Sequence, residues 1–157
     1  MKSDNKDLNE ACRVFEAYLR KHDLKLTSQR IDILNHFLHS GAHVNAEELF
    51  HLVRSHQPKI GYSTVYRTLK LLKECQIAKE HNFGDGTIRY ENDFNRGHHD
   101  HLICMQCGTI IEFECPQIEE WQQKVAESEG FELVDHRLEI YGRCKNPAVC
   151  TRNKKVE

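Results

Sequence analysis

The chain has 157 residues, 39% hydrophobic and 29% charged, with a formal charge of −2 at neutral pH. That length holds one ordinary domain or two small ones, and no apolar run approaches the roughly 20 residues of a membrane span. The near-zero charge hides an asymmetry: residues 1–91 carry 14 Lys and Arg against 12 Asp and Glu, whereas residues 92–157 carry 8 against 12, the signature of two modules with different partners.

Leu8, Ala11, Cys12, Phe15 and Leu19 recur at helical spacing and predict an amphipathic helix over about 7–22. Thr27 can cap a second helix with Ile31, Leu34, Phe37 and Leu38 as its apolar face, ended by Ser40-Gly41. Asn45-Ala46-Glu47-Glu48 resembles a capping box and opens a third helix with Leu49, Leu52 and Val53 inward. Pro58 and Gly61 punctuate, and Ser63 is expected to cap a fourth helix that buries Val65, Leu69 and Leu72. Two short runs, Ile77–Phe83 and Thr87–Glu91, flank Gly84-Asp85-Gly86 and read as a β-hairpin. This is the order of a winged helix-turn-helix, with the third helix as support, the fourth as reader and the hairpin as wing.

Residues 92–97 are polar and aperiodic and read as a hinge. Beyond it, strands are expected at His101–Cys104, Thr109–Phe113 and Phe131–Tyr141. Pro116 fits the first turn of a helix with Ile118, Trp121, Val125 and Ala126 on one face, ended by Gly130. A module of about 60 residues has little core, and metal ligation or dimerisation is the usual remedy. The expected organisation is therefore α+β: a DNA-binding winged helix over 1–91, a hinge over 92–97 and a metal-binding α/β dimerisation domain over 98–157.

The polar opening, Met1-Lys2-Ser3-Asp4, is not a signal peptide. Seven cysteines without an export signal point to a reducing, cytoplasmic compartment and to metal rather than disulfides. Cys104-x-x-Cys107-Gly108 has zinc-knuckle spacing, the glycine allowing a turn that points both sulfurs at one metal. Cys144 and Cys150 are the natural partners, although spacing alone does not fix the pairing. Four thiolates close a tetrahedral site, so this pattern reads as structural Zn2+. Cys12, Cys75 and Cys115 fall outside it and read as inert thiols.

The run His98-His99-Asp100-His101 is a different donor set, suited to a borderline divalent metal such as Fe, Zn, Ni or Mn. The bland alternative is a solvated polar turn. If extended, the run puts His99 and His101 on one face and His98 and Asp100 on the other. One strand then feeds two sites, with Glu112 and Glu119 placed to supply carboxylates. On pattern alone His136 is structural, His22, His36, His39, His51, His56 and His81 are ordinary histidines, and His43 and Glu91 are equally caps or surface residues. Ser63, Thr64, Tyr66 and Arg67 open the reader helix: hydroxyls suit phosphate, Tyr66 can meet a thymine methyl, and Arg67 can reach a guanine or phosphate.

These residues resemble the ferric uptake regulator family. The shared motifs are Ser63-Thr-Val-Tyr-Arg-Thr-Leu69, His81-Asn-Phe83, His98-His-Asp-His-Leu-Ile-Cys-Met-Gln-Cys-Gly108, Ile111-Glu-Phe113 and Tyr141-Gly-Arg-Cys144. The resemblance spans about residues 20–150 and implies a metal-dependent repressor of iron-uptake genes that binds a double-stranded DNA operator as a homodimer or tetramer. It further implies a regulatory Fe2+ site of His43, Glu91, His99, His101 and Glu112, which Mn2+ or Zn2+ can occupy. An additional metal site of His98, Asp100, Glu119 and His136 and a structural Zn2+ on Cys104, Cys107, Cys144 and Cys150 complete the set. Tyr66 and Arg67 are implied in the major groove and Lys25 near the minor groove. Three departures stand out: an x5 spacing between Cys144 and Cys150 where many relatives have x2 or x4, Arg143 where a histidine is common, and an extended first helix.

A metal bound by residues of both domains selects the DNA-competent arrangement by its differential affinity. Glu91, where peroxide-sensing relatives tend to carry Asp, favours iron uptake over a zinc-uptake or peroxide sensor. A metallohydrolase is the competing class, because His98-x-Asp100-His101 is half of a His-x-His-x-Asp-His signature. Its missing histidine falls on Arg96, and the His-x-Glu of a zinc deaminase is absent. A zinc module that binds DNA or protein without sensing would show metal-independent affinity.

Overall fold

The computed structural model describes residues 2–41 and 43–145. Its backbone divides into two compact units, Met1–Arg96 and Gly97–Glu157.

The first unit runs α1 (Lys2–Lys21), α2 (Ser28–Leu38), β1 (Val44–Asn45), α3 (Ala46–His56), α4 (Tyr62–Glu74), β2 (Ala78–Asn82) and β3 (Ile88–Asn92). Helix α1 begins at Lys2, six residues before the apolar periodicity starts at Leu8, so its opening is polar in sequence. It stops where Asp23 takes a left-handed φ of 56°, and the amides of Asp23 and Leu24 close back on the carbonyls of Arg20 and Leu19. Thr27 caps α2, its hydroxyl accepting from the Arg30 amide at 3.3 Å. The capping box of α3 forms in full: Asn45 Oδ1 accepts from the Glu48 amide at 2.9 Å, and Glu48 Oε2 accepts from the Asn45 amide at 2.8 Å.

Three expectations are corrected. Ser63 does not cap α4: Gly61 is the N-cap, and no side chain caps the helix, because the helix has already begun at Tyr62. Ile31 and Leu52 are partly exposed; the stripes that face the core are Ile33, Leu34 and Phe37 on α2 and Ala46, Leu49 and Val53 on α3. Residues 44–45 also add a short strand, so the hairpin becomes a three-stranded sheet of order β1-β3-β2. Ala11, Phe15, Leu19, Phe37, Leu49, Leu69 and Leu72 meet in one apolar core, each leucine and phenylalanine contributing on the order of 1.5–3 kcal/mol by leaving water.

The second unit runs β4 (Asp100–Cys104), β5 (Ile110–Phe113), α5 (Pro116–Ser128) and β6 (Glu139–Gly142). Strand β4 is central, antiparallel to β5 and parallel to β6. The long strand expected over Phe131–Tyr141 shrinks to Glu139–Gly142. Its parallel partner begins only at Asp100, and His101 pairs with Glu139 and donates its amide to the Leu138 carbonyl at 3.2 Å, so residues before Leu138 lie beyond the end of the partner strand. Pro116 opens α5 as expected, but α5 buries none of its residues in this chain, and Trp121 and Val125 are 66% and 60% exposed. Among the described residues no helix is long and apolar enough to cross a membrane.

Candidate metal centres and DNA-reading helix

The turn after β4 sets up the thiolate cluster. The Gly108 amide donates to the Cys104 carbonyl at 2.8 Å and the Cys104 amide to the Thr109 carbonyl at 2.9 Å, with Gly108 at φ 69°, a conformation glycine adopts without strain. Strand β6 brings Cys144 alongside: its Sγ lies 3.5 Å from Cys107 Sγ, and its amide donates to Cys104 Sγ at 3.3 Å. Backbone amides, first that of Cys107 and then those of Cys144 and Gln106, hold the Cys104 thiol below its ordinary range; the Thr109 hydroxyl does so chiefly for Cys107. Two sulfurs biased toward thiolate, with the Cys144 sulfur beside them, are the donors a zinc ion takes. Cys150 lies outside the described residues.

Asp100, His98, Glu119 and His136 form a second cluster. His98 Nε2 stands 3.3 Å from Asp100 Oδ1 and 3.6 Å from Glu119 Oε1. His136 Nε2 stands 3.3 Å from Glu119 Oε2 and 3.8 Å from Asp100 Oδ1. Asp100 is 1% exposed, and neither of its oxygens meets a hydrogen-bond donor among the described residues. A carboxylate buried in that way is costly unless a cation compensates it. His136, structural on pattern alone, belongs to this group.

On the opposite side of the β4 backbone, His101 pairs across the sheet with Glu112, and the rings of His99 and His101 lie 5.1 Å apart. Donor atoms of His99, His101 and Glu112 fall within 4.8 Å of one another. His99 Nδ1 meets the Gly97 carbonyl at 3.1 Å. A carbonyl only accepts, so the proton sits on Nδ1 and Nε2 presents the lone pair, the orientation a metal-ligating histidine needs.

In the first unit His43 and Glu91 also meet: His43 Nε2 is 3.3 Å from Glu91 Oε2, and the glutamate is fully buried. His81, expected to be ordinary, is 1% exposed and places Nε2 only 2.9 Å from the same Glu91 oxygen. The hairpin register holds the signal that was missed. Lys79 pairs with Glu91, so His81, two residues on, projects from the same face.

Helix α4, the expected reader, exposes Ser63, Tyr66 and Arg67, while Thr64 is half-buried. Tyr62 and Tyr66 stack at 6.3 Å, and the Lys70 ammonium sits 5.0 Å from the Tyr66 ring centre. Arg67 Nε donates to the Ser63 carbonyl at 3.1 Å. A groove beside it is lined by Leu24, Arg30, Thr64, Arg67 and Lys70, and exposed Lys25 accepts at its carbonyl from the Arg30 guanidinium at 2.6 Å. Tyr62, Tyr66 and the Ser63 hydroxyl lie along α4 with Arg67 and Lys70, and Arg30 stands beside them in the groove; such groups suit contacts to duplex DNA. Lys70 lies one turn beyond Arg67 on α4 itself, whereas Arg30 reaches this groove through the packing of α2 against α4.

Residues 21–141 match the sequence model of the ferric uptake regulator family. The ferric uptake regulation protein of Campylobacter jejuni is 42% identical over 132 residues, covering 83% of either chain. The peroxide-responsive repressor PerR of Staphylococcus epidermidis is 37% identical over 129 residues, 82% of this chain and 85% of its own. The solved structure of the Helicobacter pylori ferric uptake regulator, which reveals three functional metal binding sites, superposes with a TM-score of 0.82 at 31% identity, over 88% of this chain and 91% of that one. This chain therefore belongs to the ferric uptake regulator family and is a metal-responsive transcriptional repressor with a winged-helix DNA-binding domain and an α/β C-terminal domain.

Proposed function

We propose that the chain represses iron-uptake genes by binding an operator duplex as a homodimer when Fe2+ is plentiful. The observation that carries this reading is the separation of donor chemistries. Cysteine thiolates converge in one cluster, while imidazoles and carboxylates converge in the others. Thiolates select structural zinc, and mixed nitrogen–oxygen sets suit exchangeable divalent iron or manganese. Cys150 is the proposed fourth zinc ligand. His43 and Glu91 on the DNA-binding domain, with His99, His101 and Glu112 on the other, are the proposed regulatory ligands. His98, Asp100, Glu119 and His136 form an additional site. The three functional sites of the Helicobacter pylori relative support this division.

His43, Glu91, His99, His101 and Glu112 would hold the Fe2+, whose charge would offset the two carboxylates while the neutral imidazoles donate lone pairs. The chain's part is to hold donors on both sides of residues 92–97, so that one arrangement of the two domains offers the complete set. That arrangement gains population by its higher metal affinity. The exposed apolar residues of the second unit, Trp121, Val125, Phe131 and Val134, are a surface that dimerisation would cover. Repressor activity rests on binding rather than catalysis, and the reduced thiolate cluster fits a cytoplasmic site of action.

An anaerobic titration of operator affinity against Fe2+, Mn2+ and Zn2+ tests this. Stimulation by Fe2+ at concentrations where Zn2+ stays in the cysteine site is the expected result; equal operator affinity with and without metal overturns it. Peroxide sensing is the second reading, supported by the similarity to a peroxide-responsive repressor. Loss of operator binding when the iron-loaded protein meets hydrogen peroxide would select it.

A further inference from the structure

His81 is the one buried imidazole that the proposed ligand sets leave unused. It lies in the middle of the wing hairpin, 1% exposed, with its ring stacked on Phe83 at 5.3 Å. His43 approaches Phe83 edge-on at 5.7 Å and His81 edge-on at 5.6 Å. The two imidazoles thus share an aromatic wall, and both aim Nε2 at Glu91 Oε2, from 3.3 and 2.9 Å. The other carboxylate oxygen, Oε1, faces the Arg96 guanidinium at 3.6 Å, which leaves Oε2 as the inward donor. Donor atoms of His43, His81 and Glu91 all lie within 4.8 Å of one another. Ligands bonded at about 2.0–2.2 Å to one metal lie roughly 2.9–3.5 Å apart, in octahedral or tetrahedral geometry. The spacing at Glu91 fits a coordination sphere as well as it fits imidazole–carboxylate ion pairs, and the convergence of two imidazoles on one oxygen favours the former.

We infer that His81 is a metal ligand, and that the DNA-binding unit by itself carries a two-histidine, one-carboxylate set of His43, His81 and Glu91. Such a set leaves open positions and suits Fe2+. The inference deepens the proposed regulatory site and rests on the reading that His43 and Glu91 are ligands there. Its consequence is that the wing helps hold the regulatory metal: β2 contributes His81 and β3 contributes Glu91, so occupancy fixes the hairpin as well as the hinge.

The test is a Co2+ titration of the full-length protein with zinc retained in the cysteine site and His98→Ala and His136→Ala present to silence the additional site. Visible absorption reports coordination directly. His81→Gln should weaken Co2+ binding at least about 10-fold and alter the spectrum; changes in even an outer-shell partner typically cost 10–100-fold in affinity. His81→Cys should add a thiolate-to-cobalt charge-transfer band, a gain of signal that only a ligand position produces. If His81→Gln keeps the parent affinity and spectrum, or if folded His81→Cys binds Co2+ without that band, His81 is no ligand and the inference is overturned. His43→Gln and Glu91→Gln serve as references. Should these too leave Co2+ binding unchanged, the underlying regulatory site is wrong; if they weaken it while His81→Gln does not, only the role of His81 falls.

Discussion

In the first unit Phe15, Leu19, Leu49, Leu69 and Leu72 lie fully out of water in one apolar core, whereas the most buried side chains of the second unit are Asp100 and His101. Apolar burial stabilises without any partner beyond shape. Buried carboxylate and imidazole stabilise only when something compensates them. Among the described residues of the second unit, helix α5 buries none of its side chains. The first unit thus has an apolar core that needs no ligand, beside one buried polar cluster at Glu91 and His81, whereas the proposed metals and partner copy would supply much of the order of the second. Metal removal should affect the two halves unequally.

The largest expected effect exploits that inequality. Cys104→Ser or Cys107→Ser should release zinc and unfold the C-terminal unit. The binding free energy of structural zinc reaches on the order of 10 kcal/mol in zinc-finger peptides and is folding free energy. Hydrogen exchange should show lost protection after residue 97 and retained protection in α1–α4; a zinc-free variant with a protected β4 contradicts this. Cys115→Ser should be nearly silent, because its sulfur contacts Gln117 rather than the thiolate cluster. Next comes Leu69→Ala, which empties a fully buried position in the first unit and should cost about 2–5 kcal/mol. Calorimetry should show the loss while zinc content stays at the parent value; a matching loss of zinc would mean the units are not separately stabilised.

The smaller effects concern the reading face. Tyr66→Ala should cost about 1–3 kcal/mol of operator affinity and relax base preference at one position. Lys25→Ala should weaken binding to operator and scrambled duplex alike and lower the salt slope by about one. Fluorescence anisotropy on both duplexes across several salt concentrations separates the two. If Tyr66→Ala binds both as the parent does, α4 is not the reader.

The helix order, the capping box at Asn45–Glu48 and the sorting of residues 98–101 into two donor pairs were legible in the sequence, because each depends on local periodicity or strand parity. What escaped needed tertiary information. Ser63 looked like a cap because hydroxyls are good caps, but the chain enters the helix two residues earlier than that rule places it. His136 and His81 looked solitary because their partners lie 17 and 10 residues away along the chain, and only the crossover around α5 and the register of the wing hairpin bring them in. Arg30 joins the reading face through the packing of α2, which no periodicity announces.

The central claim is that donors on either side of residues 92–97 answer to one regulatory metal. The most direct measurement is operator affinity with and without Fe2+, anaerobically, for the parent, Glu91→Ala and His99→Ala, with zinc content monitored in each. The account predicts that both variants keep their zinc and lose at least about 10-fold of the metal-stimulated affinity, equivalent to about 1.4 kcal/mol. Zinc-replete variants that Fe2+ stimulates as strongly as the parent would contradict it.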